Sequence, residues 1–398
     1  MNDRPNYNEG SARNVIIKLL CANGVLPYRF LKYTPYNIRY IWDVVHKMQE
    51  DGIVDIVRSK SSSPRKSKRL IVFKDYEKNK DTFEKGLPID YQMLYEDVKY
   101  RSKNARFNQI SEQERIYNII EANLFFYWGG IPSDPDGRRR LVKFDDASDF
   151  AYYPIQEIKY ATSYTDTVEM LPEKESNSYN KGKKVTGSKA VGLYTTPETL
   201  YTVYNVGNQP VKWAISGEKK IKLVTTVSKR GSEIDILPFN SCIVLTTGDK
   251  VLKTYIKGEE KSDSYSLDCL GRIYENVFVI KMDELGRKLI QIMAHKSYRQ
   301  KILELILDEN EITKDMKIDG YNSESNESIL FGGIVSVDCL YAFYAAAVIS
   351  KQKDDDMTYV LICFEEQEEM YEELLGNVCE IRTVGVDDIV NAAGFMII

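Results

Sequence analysis

Residues Tyr36 to Lys74 read YNIRYIWDVVHKMQEDGIVDIVRSKSSSPRKSKRLIVFK. Ile38, Ile41, Trp42, Val45 and Met48 recur at i, i+3, i+4, i+7 and i+10, a spacing that buries one face of a helix. It leaves Asn37, Arg39, Tyr40, Asp43, His46 and Lys47 pointing outward. Gly52 stops the helix, Ile53 to Val57 is β-branched enough for a strand, and Leu70 to Phe73 can return beside it. Between Arg58 and Lys74 stand seven basic residues, Arg58, Lys60, Arg65, Lys66, Lys68, Arg69 and Lys74, with no acidic one.

Working upstream, Ser11 reads as the N-cap of a first helix carrying Val15, Ile16, Leu19 and Leu20, which stops near Asn23-Gly24. Pro27 suits the first position of a short second helix through Leu31. Thr34-Pro35 repeats the device ahead of the third. Three short helices and a hairpin in about 75 residues make a winged helix-turn-helix. In that arrangement the start of the later helix enters the major groove, offering Tyr36, Asn37, Arg39, Tyr40 and Lys47 to base edges and phosphates. The basic hairpin tip, with Arg58, Lys60, Arg65, Lys66, Lys68 and Arg69, would track the phosphate backbone. Two blander readings stand beside this one: the turn is a solvated loop, or the helix is a scaffold for protein contact.

Charge supports the first reading. The whole chain of 398 residues carries −5, yet residues 1–78 hold 15 Lys and Arg against 8 Asp and Glu, a net of +7 that leaves −12 for the rest. Phosphate attraction is local, decaying over a Debye length of ~8–10 Å. The last 48 residues carry 3 basic and 12 acidic side chains and should repel DNA.

Downstream, residues 79–187 read as a helical connecting region. Ser111 and Glu114 form a capping box ahead of Ile116, Ile119, Ile120 and Leu124, with Gly129-Gly130 closing the helix. Tyr152 to Tyr164 reads as a further short helix, and 171–187 as a flexible loop. From residue 188 to 398 the texture is that of an acidic α/β domain. Ala190–Tyr194 and Leu200–Tyr204 flank Thr195-Thr196-Pro197-Glu198 as a hairpin, followed by a helix at Ser216–Ser228. Strands are expected at Cys242–Thr246, Asn276–Lys281, Tyr359–Phe364 and Val378–Arg382, with a helix over Glu365–Leu375. A hairpin followed by alternating strands and helices predicts a mixed sheet and an α+β chain overall.

Six scattered cysteines without a C-x-x-C pair fit a reducing cytoplasm rather than a disulfide framework. The longest strongly apolar run, Leu340–Ile349, is far short of the ~20 residues that span a bilayer, so no membrane partner is expected. His46 and His295 are the only histidines, which makes a zinc site or a His-dependent triad improbable. No phosphate loop or dinucleotide fingerprint occurs, and no cofactor or metal is expected. The strongest enzymatic alternative is a metal-dependent nuclease, whose Asp and Glu-x-Lys share a strand edge. Glu-x-Lys occurs at Glu157/Lys159, Glu218/Lys220 and Glu259/Lys261, in no clear strand with an Asp upstream. A tyrosine nucleophile would want clustered histidines as well.

The order of the wing VRSKSSSPRKSKRLIVFK, the helix ISEQERIYNIIEANLFFYWGG, then YYPIQEIK and GSKAVGLYTTPETLYTVYNVGNQPVKW resembles proteins of Firmicutes conjugative plasmids and integrative elements. These are similar to the "replication-relaxation" family of winged-helix proteins. The resemblance spans about residues 10 to 225 and implies a DNA-binding accessory role in replication or transfer of a mobile element. It also implies a C-terminal part that in relatives looks like a degenerate nuclease fold, from which this chain departs in lacking a convincing acidic-plus-Lys site. Double-stranded DNA is then the expected ligand. A relaxase or replication protein could meet the acidic domain, and a homodimer is the other expected assembly.

Overall fold

The computed structural model describes residues 11–23, 26–34, 36–58, 69–74, 110–128, 151–154, 188–229, 237–313 and 318–397. The chain is mixed α+β, with three sheets among the described residues. It divides into two compact units, one ending at Leu124 and the other beginning at Phe125, so the boundary falls within one helix. No helix among the described residues is long and apolar enough to cross a membrane.

In the first unit, helix α1 (Ala12–Asn23) starts as its sequence predicts, with Ser11 Oγ accepting from the Asn14 N–H at 3.3 Å. The next segment differs from expectation. Leu26–Pro27 forms a short strand β1, and a 3₁₀ turn follows at Tyr28–Tyr33. Pro27 precedes that turn, paired opposite Leu70 on a sheet edge, where its missing N–H costs nothing. Thr34 caps no following helix; its hydroxyl donates back to the Leu31 carbonyl at 2.7 Å. Helix α2 (Ile38–Glu50) is capped by Asn37, whose Oδ1 accepts from the Arg39 N–H at 3.0 Å.

The C-terminus of α2 closes on Gly52, at φ +74°. The Ile53 N–H reaches the Met48 carbonyl at 2.9 Å and the Gly52 N–H reaches Gln49 at 3.0 Å, the paired closure that wants a glycine in the left-handed region. Strands β2 (Val54–Arg58) and β3 (Arg69–Phe73) then pair antiparallel, giving the order β1-β3-β2. As the central strand, β3 buries Leu70 through Phe73. Ile16, Leu20, Leu26, Leu31, Ile41, Val45 and Val54 are buried with them.

Helix α3 (Ile110–Trp128) buries Ile119, Ile120 and Leu124 and begins one residue before the expected Ser111 cap. In the second unit, Ala151–Pro154 is strand β4 rather than the start of a helix. Tyr152 and Tyr153 pair with Tyr194 and Leu193, and the Tyr152 ring stacks on Phe126 with centroids 4.1 Å apart. Aromatic residues favour a pleated, two-sided burial of this kind. A five-stranded sheet runs β4-β5-β6-β7-β8, with β5 (Ala190–Thr195), β6 (Leu200–Gly207), β7 (Ser241–Thr246) and β8 (Asn276–Lys281). The β5–β6 hairpin is as predicted, and α4 (Ile215–Lys229) leads from β6 to its parallel neighbour β7. Gly192 sits under the Tyr152 ring, where any Cβ would collide with it.

Between β7 and β8 lie α5 (Lys250–Ile256) and α6 (Asp268–Gly271). Helices α7 (Glu284–Ile292) and α8 (Tyr298–Ile306) follow. A four-stranded sheet is ordered β12-β11-β10-β9, from β9 (Gly320–Asn322), β10 (Glu327–Phe331), β11 (Thr358–Phe364) and β12 (Glu380–Val384). Its parallel strands are joined through α9 (Val337–Gln352) and α10 (Glu368–Leu375), and α11 (Val386–Ala393) ends the described fold. Both larger sheets are mixed, as the leading hairpin suggested. The last strand lies two residues beyond its expected position, and the helix expected over Glu365–Leu375 opens with a 3₁₀ turn. Cys242, Cys269, Cys339, Cys363 and Cys379 are free thiols.

Candidate nucleic-acid interface

The exposed side of α2 carries most of the outward residues expected from the sequence. Asn37, Arg39, Tyr40, Asp43, His46 and Lys47 are exposed and Tyr36 is half-buried, while Ile41, Val45 and Met48 face the core. Trp42 is the correction: 42% of it remains exposed, although its spacing suggested burial. At 100° per residue it lies that far round the helix from Ile41, on the border of the buried stripe. The Trp42 ring instead stacks on Tyr28, centroids 6.2 Å apart and planes 22° from parallel. The Tyr28 hydroxyl lies 3.3 Å from His46 Nε2.

Tyr40, 53% exposed, leans on Tyr36 with ring centroids 6.1 Å apart. Burial raises the hydroxyl pKa of Tyr36, with Tyr40 adding to the effect. Burial also raises that of Tyr28, against the opposing pull of Arg69. Asn37 has a structural task that the sequence did not disclose. Its carbonyl oxygen is committed to the backbone, so a two-point contact with adenine would cost the helix its cap.

The hairpin adds two cations. Arg58 and Arg69 are direct cross-strand partners, both exposed, and the Arg69 guanidinium lies 5.6 Å from the centre of the Tyr28 ring. Like charges opposite one another destabilise a strand pair. Among the described residues neither arginine makes an ion pair, whereas Arg13 of the same unit does, with Asp51 at 3.3 Å. Lys60, Arg65, Lys66 and Lys68, expected at the hairpin tip, lie outside the described residues.

The acidic triplets fare differently. Glu218, in the first turn of α4, is fully buried; it accepts from Ser188 Oγ at 2.7 Å and from the Lys189 N–H at 2.9 Å. Burial raises its pKa, with those two hydrogen bonds opposing. Lys220 is exposed, so this pair does not share a strand edge as a nuclease site requires. Glu259 and Lys261 lie on an exposed turn, and Glu157/Lys159 falls outside the described residues. On β6, Thr202 and Tyr204 are buried polar groups on one face. Tyr274 donates to Thr202 at 2.9 Å and its hydroxyl lies 3.1 Å from that of Tyr204. No group of three or more His, Cys, Asp or Glu suited to a metal occurs among the described residues.

A cleft of about 220 Å³ opens beyond the carboxyl ends of β7 and β8. Within it Lys281 stands 3.5 Å from Asp249 and 3.6 Å from Asp283, and Lys253 bonds Glu373, while Glu366 and Glu369 also line it. Comparison with known proteins finds no family model, no curated protein and no solved structure that matches the chain.

Proposed function

We propose that this chain is a DNA-binding accessory or regulatory protein of a mobile genetic element, acting in plasmid replication or conjugative transfer through an N-terminal winged helix on duplex DNA. The observation that carries the binding is the Arg58/Arg69 pair: two exposed guanidinium groups, without an ion pair among the described residues, set opposite one another beside the open face of α2. Such a pair opposes folding unless an anion lies between its members, and a phosphate backbone supplies one. The order of a capped helix, a tight glycine turn and a two-stranded hairpin on a third short strand agrees with this docking mode. Arg39, Tyr40 and Lys47 contact the groove, and the basic hairpin supplies affinity. The biological setting rests on the sequence resemblance, and the acidic second unit is the surface for a relaxase, a replication protein or a second copy.

Titrating the full chain with a fluorescent duplex at rising salt tests the reading. Affinity falls steeply with salt, and joint replacement of Arg65, Lys66, Lys68 and Arg69 by alanine flattens the slope. Absence of binding to any DNA at low salt overturns it.

A further inference from the structure

Stacking, and not only groove contact, is what the surface of α2 offers. Residues 40 and 42 are 200° apart round the helix, so Tyr40 and Trp42 line its two opposite edges. Arg39, Asp43, His46 and Lys47 lie between them. Both aromatic side chains are open, at 53% and 42% exposed. Neither ring is loose. Trp42 is backed by Tyr28, which in turn is held by His46 and faced by the Arg69 guanidinium; Tyr40 is backed by Tyr36.

A backed, half-exposed ring is poorly matched to the edge of a paired base. It is well matched to the face of an unpaired one, because every nucleobase has a π-face and stacking on a fixed ring loses little side-chain entropy. The charges agree with this division. Asp43, at i+4 from Arg39 and i−4 from Lys47, interrupts the positive field along the middle of the helix, so the phosphate-holding cations are concentrated at Arg58 and Arg69. The Trp42 edge, through Tyr28, is the edge beside those arginines.

We infer that the Trp42–Tyr28 edge of α2 is a stacking site for an unpaired DNA base, held beside the phosphates that Arg58 and Arg69 bind. This inference rests on the DNA-binding reading above and specifies its substrate as DNA that is single-stranded or frayed next to a duplex. Such DNA arises wherever strands are opened for copying or transfer.

The test uses the full chain and three labelled probes: an oligothymidine of about 20 nucleotides, a duplex of matching length, and a forked duplex with an unpaired arm. Expected is binding of the fork and the single strand at least as tight as that of the duplex. Trp42→Ala should weaken the single strand and the fork about tenfold while leaving duplex affinity within about twofold, and Trp42→Phe should restore most of the loss. Because Trp42 is at the surface, far-UV circular dichroism and a thermal melt show whether the alanine variant is folded. A variant that fails to fold leaves Trp42→Phe and Trp42→Leu to decide, the first retaining and the second losing the single strand. Equal loss on all three probes, no loss on any, or tight binding to the duplex alone overturns the stacking site but leaves duplex binding standing. Failure of the wild-type chain to bind any probe at low salt overturns both.

Discussion

The α2 surface of the first unit and the sheet core of the second use the same kinds of side chain in opposite ways. In the first, Tyr40 and Trp42 are about half exposed, and Arg58 and Arg69 face each other without an acidic partner among the described residues. In the second, Tyr152, Tyr194, Tyr204 and Tyr274 are fully buried. Their neighbours are internal: Tyr194 donates to the Ile290 carbonyl at 2.7 Å, and Tyr204 and Tyr274 bond one another. Burial pushes all three of these hydroxyl pKa values well up. Two of the second unit's arginines are matched as well, Arg382 gripping Glu327 through two nitrogens and Arg299 holding Asp319 at 2.6 Å. A polar group satisfied from within holds a fold together, whereas costly groups left open at one surface are where an outside molecule can repay them.

The largest effect that can break this contrast is on stability. Tyr152→Ala removes a ring stacked on Phe126 and should destabilise the chain by about 3–5 kcal/mol in a denaturant melt while leaving the salt slope of DNA binding unchanged. If DNA binding fell before unfolding did, the buried tyrosines would not be mere scaffold. Next comes Arg58→Ala with Arg69→Ala. Affinity for duplex should fall about tenfold at low salt and the logarithmic salt slope by about 2, with no loss of thermal stability and a small gain where repulsion is relieved. A destabilised double variant would mean that the arginines are internal struts after all.

Asn37→Ala sharpens the comparison at the one residue that stands in both classes, exposed yet structurally engaged. It should cost about 1 kcal/mol through loss of the cap, and Asn37→Asp, which keeps the acceptor, should cost far less. The smallest effect concerns Glu218. Its folded pKa is raised, so the folded chain holds that proton more tightly than the unfolded one. The associated stability is fully present below the ordinary carboxylate value of about 4.3 and declines as pH rises through the raised one. Glu218→Gln should flatten that decline in unfolding midpoints followed from about pH 4 upward.

Much of the architecture was legible in the sequence because it is written locally. The β5–β6 hairpin has apolar and aromatic runs on either side of Thr-Thr-Pro-Glu, β7 and β8 are short apolar runs, and Gly52 marks a turn that only its conformation allows. Local signals misled where two of them competed. Thr34 and Asn37 are both good caps three residues apart, and only the packing of the 3₁₀ turn decides between them. YYPIQEIK carries a helical tail, yet its first residues are claimed by the sheet, since Phe126, itself against Tyr194, stacks on the Tyr152 ring over Gly192. Of the candidate interface, the outward face of α2 was legible in its periodicity. The pairing of Arg58 with Arg69 was not, because strand register is a property of two segments at once. Nor was the exposure of Trp42, which lies at the border of its helix's buried stripe.

The two ends of α2 carry a consequence for how this chain can change over generations. Asn37 and Gly52 are pinned, one as the acceptor that starts the helix and the other as the left-handed residue that stops it. Between them Arg39, Tyr40, Asp43, His46 and Lys47 hold nothing in the core. Drift at Arg39, Asp43 and Lys47 is therefore nearly free of structural penalty, while His46 and Tyr40 also brace Tyr28 and Tyr36. A lineage of such chains would keep the two bracketing residues and the Ile41–Val45–Met48 stripe while diversifying the surface between them, changing what that surface presents without having to relearn how to fold.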